Sequence, residues 1–306
     1  MDFLIYCVVL VFVRCVQALP LTLVAWLGRR GGALAYWLDG RHRRVATENL
    51  TLAFGHEQSP AELRALAREH FRRLGENYLS AVKTSSMTPA ALSRHVQFVG
   101  TGRLLPASDH ELPLSRVFAI GHFGNFELYA WAHHFAPGHT SVSTYRALPQ
   151  PRLDAVLKSL RAQSGCLLLE RRTDGAQLRE LLRRRGLLVG LLSDQHAGRA
   201  GLWLPFFGRE CSTLAAPAIF ALRYKLPLHT AICFRAGLAR WRIEIGDEIP
   251  THAEGRRRAL EEIMSDVNQA FEFAIRRDPA NWFWVHRRWK TEPVRPRPTA
   301  PKQDWE

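Results

Sequence analysis

An α/β fold, with a mostly parallel sheet flanked by helices and a membrane-associated hydrophobic helix at the N-terminus, is what this sequence predicts. Three observations predict it. From residue 117 onward, short apolar runs bounded by glycine or charge alternate with helical stretches, the pattern of strands buried on both faces. The first 27 residues are almost wholly apolar. No internal repeat or low-complexity linker divides the remainder of the chain.

The N-terminal segment, residues 3–27, reads FLIYCVVLVFVRCVQALPLTLVAWL, broken only by Arg14, Gln17, Thr22 and Pro20. A spanning helix needs about 20 such residues. Arg14 near its middle would cost roughly 2.5–3.5 kcal/mol in a bilayer, so the segment is expected to lie obliquely or to break at Pro20. Asp2 in place of a basic leader, and no small-residue cleavage site, argue against a signal peptide. Arg29, Arg30, Arg41, Arg43 and Arg44 follow the segment, which by the positive-inside rule keeps the body on the cytoplasmic side of the membrane. The expected organisation is an anchor over residues 1–28, one catalytic domain over 29–292 and a disordered proline-rich tail over 293–306.

RRVATENLTLAFG and SPAELRALAREHFRRLGENYLSAVK read as helices, the second opened by a Ser59–Glu62 capping box with Pro60 at the first helical position. VFAI (117–120) reads as a buried strand, FELYAWAHHF as a helix and TSVSTY (140–145) as a strand. RLDAVLKSLRAQSG is a helix ending at Gly165, CLLLE a strand, and GAQLRELLRRRG a helix ending at Gly186. LLVGLLSD is a strand, PAIFALRYK a helix, LHTAICFR and RWRIEIG strands, and residues 254–277 a long helix.

An apolar fraction of 47% and a charged fraction of 23% exclude wholesale disorder. With 42 Lys+Arg against 28 Asp+Glu the chain carries +14, and arginine supplies nearly all of it. Such a surplus attracts nucleic acid, anionic lipid or an acidic carrier protein, and does not choose among them. The five cysteines are scattered and never spaced CxxC. Neither a zinc site nor a disulfide framework is expected.

The chemistry concentrates at GHFGNFE (121–127). Because it comes directly after VFAI, His122 falls at a strand's carboxyl end, where open α/β sheets bind ligands. Gly121 and Gly124 permit a tight turn, and Asn125 can cap the next helix. With His122 in the turn and Glu127 in the first helical turns the two can converge. His122 then takes the proton from an acceptor hydroxyl attacking an acyl thioester, and Glu127 bonds the far imidazole nitrogen and fixes its tautomer. The N–H groups of the glycine turn, or a nearby arginine, are candidates for holding the oxyanion. Asp194 also stands at a strand end, as a functional group or as a turn residue. Arg146, Arg161, Arg171 and Arg172 are candidate phosphate clamps.

GHFGNFEL resembles the H(X)4(D/E) signature of glycerolipid-type acyltransferases. Together with RRVATENLTLAFG, YRALPQPRLDAVLKSLRAQSG, SDQHAGRAGLWLPFFGRECST and NQAFEFAIRRDPANWFWVHRRWK, it makes residues 41–292 similar to the late lipid A acyltransferases, the lauroyl and myristoyl transferases. Phe126 departs from the tryptophan of many members. The resemblance implies O-acyl transfer from acyl carrier protein to a hydroxyl of a lipid A precursor, at the membrane and with no cofactor or metal. It matches His122 and Glu127 to the catalytic pair. Arg161 and Asp194 match a conserved arginine and the Asp of a DQ motif, and with Arg146, Arg172, Gly124 and Asn125 they form the expected substrate-binding set.

Other readings of the sequence stay open. The acceptor can instead be a lysophospholipid, a glycolipid or an aminolipid. A nucleic-acid binder would use the charge, but no helix-turn-helix, zinc finger or RNA-binding aromatic motif is present. A lipid-binding scaffold without activity would leave His122 and Glu127 unexplained. PFFG (205–208) reads as acyl groove or as core. In WFWVHRRWK, Trp282, Trp284 and Trp289 suit either a membrane interface or a core cover whose Arg287 and Arg288 face water.

Overall fold

The computed structural model describes residues 2–104, 113–171 and 173–290. The apolar N-terminus forms two helices, α1 (Asp2–Ala18) and α2 (Leu21–Leu38), and the chain breaks between them at Pro20. Proline fixes its own φ and lacks an N–H, so it opens a helix readily and interrupts one badly. Among the described residues no helix is long and apolar enough to cross a membrane. Helix α3 (Gly40–Phe54) starts at Asp39, whose carboxylate accepts the His42 N–H at 3.0 Å. Helix α4 (Pro60–Thr84) opens on the expected capping box, in which Ser59 and Glu62 exchange backbone and side-chain bonds.

Helices α2 and α4 cross at backbone contact because glycine faces glycine. A Cβ on Gly28 would stand 2.5 Å from the Gly75 carbonyl oxygen, and one on Gly32 would overlap the Phe71 carbonyl. Arg29 adds ion pairs to Glu69 (3.0 Å) and Glu76 (3.2 Å). Residue 28, the expected end of the anchor, therefore lies inside a helix packed onto α4.

Beyond this helical layer come α5 (Pro89–Leu92), β1 (Val96–Val99), β2 (Arg116–Ile120), β3 (Thr140–Tyr145), α6 (Pro151–Ala162), β4 (Leu167–Glu170), α7 (Gly175–Leu181) and β5 (Leu187–Leu192). The hairpin β6 (Leu202–Phe206) and β7 (Arg209–Thr213) is next, then α8 (Ala216–Tyr224), β8 (Leu228–Gly237), β9 (Arg240–Ile249), the short pair β10 (His252–Ala253) and β11 (Arg256–Arg257), and α9 (Leu260–Arg277). Seven strands form one sheet in the order β1-β9-β8-β2-β5-β3-β4, parallel except for β8–β9. The mostly parallel α/β expectation holds.

Alternation along β2 divides the core. Val117 and Ala119 join one cluster with Val189, Val267 and Phe271, whereas Phe118 and Ile120 join the other with Leu188, Leu128 and Trp131. Besides α5 and β1, which the sequence reading did not name, three elements differ from it. FELYAWAHHF is a 3-10 helix (Phe126–Phe135) with no side-chain cap on its first N–H groups. The last helix begins at Leu260 because Glu254 and Gly255, at φ 51° and 76°, turn the preceding residues into β10–β11. PFFG likewise turns the unexpected β6–β7 hairpin, with Phe207 and Gly208 at positive φ. The expected tail, residues 293–306, lies outside the described residues.

Candidate active site

Strands β2 and β5 are parallel neighbours, with Ile120 paired to Leu192. His122 and Asp194 each lie two residues beyond that pair, so the register alone sets them side by side at the carboxyl ends. Asp194 holds His122 twice. Its Oδ2 accepts the His122 backbone N–H at 2.8 Å, and its Oδ1 lies 2.8 Å from His122 Nδ1. Trp282 Nε1 donates to the same Oδ2 at 2.8 Å. Burial of Asp194 opposes its ionisation, yet the His122 charge and these N–H donors outweigh it, and the carboxyl sits below the usual carboxylate range. An ionised acceptor at Nδ1 makes that nitrogen the protonated one and leaves the Nε2 lone pair available. Nε2 faces the Gln195 amide nitrogen at 3.5 Å, and the ring is flanked by Phe126 and Phe283, with centroids at 4.7 and 5.5 Å.

Glu127 is not the partner of His122. Its carboxylate accepts two bonds from Arg161, at 2.9 Å from Nε and 2.5 Å from Nη2. The turn explains the divergence. Gly124 takes φ +51°, and a Cβ there would stand 2.6 Å from the Cys233 carbonyl oxygen. The chain thus swings from the sheet edge toward α6, leaving His122 against β5 and carrying Glu127 to Arg161. The turn's N–H groups are also committed: His122 N to Asp194, Phe123 N to Gly121 O at 2.8 Å and Gly124 N to Asn281 O at 3.0 Å. These three are not free for an oxyanion; the uncapped first N–H groups of the 3-10 helix and Arg161 remain the candidates. Asn125 occupies the N-cap position without making a cap bond. It is 1% exposed, and both ends of its amide are unpartnered.

The C-terminal tryptophans resolve toward the core. Trp282 and Trp284 are buried, and Phe206 packs against Trp282 and Trp289, so the two phenylalanines of PFFG belong to the core too. Arg287 faces solvent as expected, but Arg288 is fully buried. It donates to the Gln195 and Ser212 carbonyls and to Thr213 Oγ1, clamping the loop after β5. His286 Nε2 accepts the His196 N–H at 3.1 Å. The sequence reading did not assign Trp282, His286 and Arg288 to the site. Their signal was the density of polar-tipped side chains in PANWFWVHRRWK.

Comparison with known proteins supplies the family. The sequence model of the bacterial lipid A biosynthesis acyltransferases matches residues 1–291. The chain belongs to that family. It is 25% identical over 280 residues to the lipid A biosynthesis palmitoleoyltransferase of Escherichia coli (strain K12), covering 90% of this chain and 88% of that one. The lipid A biosynthesis acyltransferase of Shigella flexneri matches with the same identity and coverage. The protein is thus an acyltransferase of lipid A biosynthesis.

In this lipid A acyltransferase the dyad opens on a cavity of about 820 Å³ that spreads over the sheet face beneath the 3-10 helix. His122, Glu127, Arg146 and Arg161 line it, as do the apolar Phe118, Ile120 and Ile243. Arg171 stands at its rim and is exposed, whereas Arg172 lies outside the described residues. Cys166, also in the wall, is no thiolate nucleophile, since burial pushes its thiol up to about 12. Among the described residues no cluster of His, Cys, Asp and Glu is arranged to hold a metal.

Proposed function

We propose that the protein moves a fatty acyl chain from the thioester of acyl carrier protein to a hydroxyl of a lipid A precursor, at the cytoplasmic face of the inner membrane. One observation carries the mechanism: the His122 imidazole is held at Nδ1 by buried Asp194, with Nε2 left as the base in a cavity fit for an acyl chain. The acceptor oxygen attacks the thioester carbon as Nε2 takes its proton. The tetrahedral intermediate collapses with cleavage of the C–S bond, and the same proton passes to the departing thiolate. Arg161, fixed by Glu127, supplies positive charge for the developing oxyanion. Glu127 acts as a positioning residue and Asp194 takes the orienting role first expected of it.

Association with the membrane is supported by a broad apolar surface. Phe3 (63% exposed) and Val11 (64%) on α1, with Leu34, Trp37 and Leu38 on α2, present large side chains to the surroundings. Such a patch on a polar protein marks a binding face. Arg30 lies over the exposed Trp26, pairing a cation with an aromatic ring as at a lipid interface. The +14 charge, with Arg146 and Arg171 at the cavity, suits an acidic carrier protein and a phosphorylated acceptor. Purified protein given acyl carrier protein thioester and lipid A precursor should form the acylated product, and His122→Ala should abolish it while the fold persists. Full activity in that variant would end this mechanism.

A further inference from the structure

A second cavity of about 260 Å³ lies behind the first. Its walls come from α4 through Leu74, Tyr78 and Ala81, from α6 through Leu157 and Leu160, and from the segment around Trp282. His122, Phe126, Glu127, Ala130, Leu157 and Arg161 border both cavities, so the Glu127–Arg161 pair and the base stand in a shared partition. The two chambers face different surroundings. Arg146 and Arg171 border the larger one. The smaller sits where α1 bridges its two helical walls: Gln17 of α1 donates to Ser85 at the end of α4, and Arg152 of α6 covers Phe3 of α1 at 5.2 Å. Tyr78, in its wall, is 49% exposed. Helix α1, with its exposed apolar side chains, therefore packs against both helical walls of the chamber.

The small chamber also holds polar groups without partners. His70, Asn125 and Asn281 line it and are buried, at 2%, 1% and 4% exposure. His70 Nδ1 lies 3.3 Å from the Ala280 carbonyl oxygen and must donate to it, which leaves Nε2 as an acceptor with no donor. Asn281 spends its amide N–H on the Cys233 carbonyl, and its Oδ1 is unpartnered. Asn125 has an unpartnered donor and an unpartnered acceptor. Native interiors seldom leave such groups unmatched, and an apolar pocket with a few convergent polar atoms is the usual form of a ligand site.

We infer that the small chamber takes an alkyl chain of the lipid acceptor, entering from the α1 side, while the large cavity takes the donor's acyl chain. Both chains then meet across His122. The unpartnered amides and imidazole receive polar groups carried near the head of the acceptor chain. The inference rests on the acyl-transfer reading and adds which substrate occupies which side. It requires both substrates to be bound at once.

The test is two-substrate initial-velocity kinetics with acyl carrier protein thioester and lipid A precursor. Ala81 lines only the small chamber and Ala132 only the large one. Ala81→Phe should raise the acceptor KM by about tenfold or more, the scale on which a pocket rejects a misfit, and leave the donor KM unchanged. Acceptors with shortened alkyl chains should relieve the defect. Ala132→Phe should instead raise the donor KM or shorten the donor chain that is accepted. Tyr78→Ala, at the half-exposed mouth, adds no volume and should also raise only the acceptor KM, which covers the case in which Ala81→Phe does not fold. An Ala81→Phe or Tyr78→Ala enzyme that folds and shows a raised donor KM, or no change in either KM, would overturn the assignment. A wild-type enzyme that transfers nothing to the precursor would instead refute the acyl-transfer reading itself.

Discussion

The two hydrogen-bonded pairs at the site are built in opposite ways. His122 and Asp194 come from neighbouring parallel strands and meet because the register leaves them level; Asp194 is 1% exposed and bonded three times. Glu127 and Arg161 come from two helical segments and keep side-chain exposures of 27% and 22%. The first pair is fixed by the core, and the second is a bidentate fork between two part-exposed side chains. Five positions of sequence separate His122 from Glu127, yet they serve different partners. A spacing motif thus identifies residues that share a site without saying which of them touch.

The largest effect is expected on the buried side. Asp194→Asn should keep the fold, reverse the imidazole tautomer and lower kcat on the order of 10⁴-fold, the scale seen when the orienting acid of a histidine base becomes an amide; steady-state acyl transfer measures it. Trp282→Phe removes one donor to a charged acceptor and should lower stability by about 2 kcal/mol, read from the urea midpoint, with a smaller fall in kcat.

His70 makes the same region sensitive to acid. Burial pushes its imidazole down to about 4, so between that value and its ordinary one the unfolded chain binds a proton that the folded chain does not. Stability is then full above that window and falls as pH drops through it, by roughly 2 kcal/mol between about pH 7 and about pH 5. His70→Leu should flatten that part of the stability profile.

On the more exposed side Glu127→Gln should change stability by less than about 1 kcal/mol. Its kcat should nevertheless fall, through Arg161. A double-mutant cycle with Arg161→Lys should show strong non-additivity, because lysine cannot reproduce the bidentate fork. Additive losses would mean the pair does not act as one unit.

Much of the fold was legible in local pattern. The Ser59–Glu62 box, the buried run VFAI and the alternation of strands with helices carry their own signals, and each forms where the pattern puts it. Pro20 was legible as a break and is one. The pairing within the site was not legible, since it depends on β2 and β5 being neighbours and in register, a contact across 72 residues. With that register in hand, two strand ends with a histidine and an aspartate at equivalent offsets would have given the dyad. Arg288 was misread, and Trp282 was left open between interface and core, for a different reason. Basic and aromatic residues together suit a membrane surface and a buried polar clamp equally well, and only the path of the loop after β5 decides between them.

The central claim, that Asp194 and not Glu127 sets the state of His122, is tested most directly by nitrogen NMR of the His122 ring in the wild type and two variants. Wild type and Glu127→Gln should both show Nδ1 protonated and Nε2 free, and Asp194→Asn should lose that tautomer. A Glu127→Gln protein whose His122 tautomer changes, beside an Asp194→Asn protein whose tautomer does not, would contradict the account.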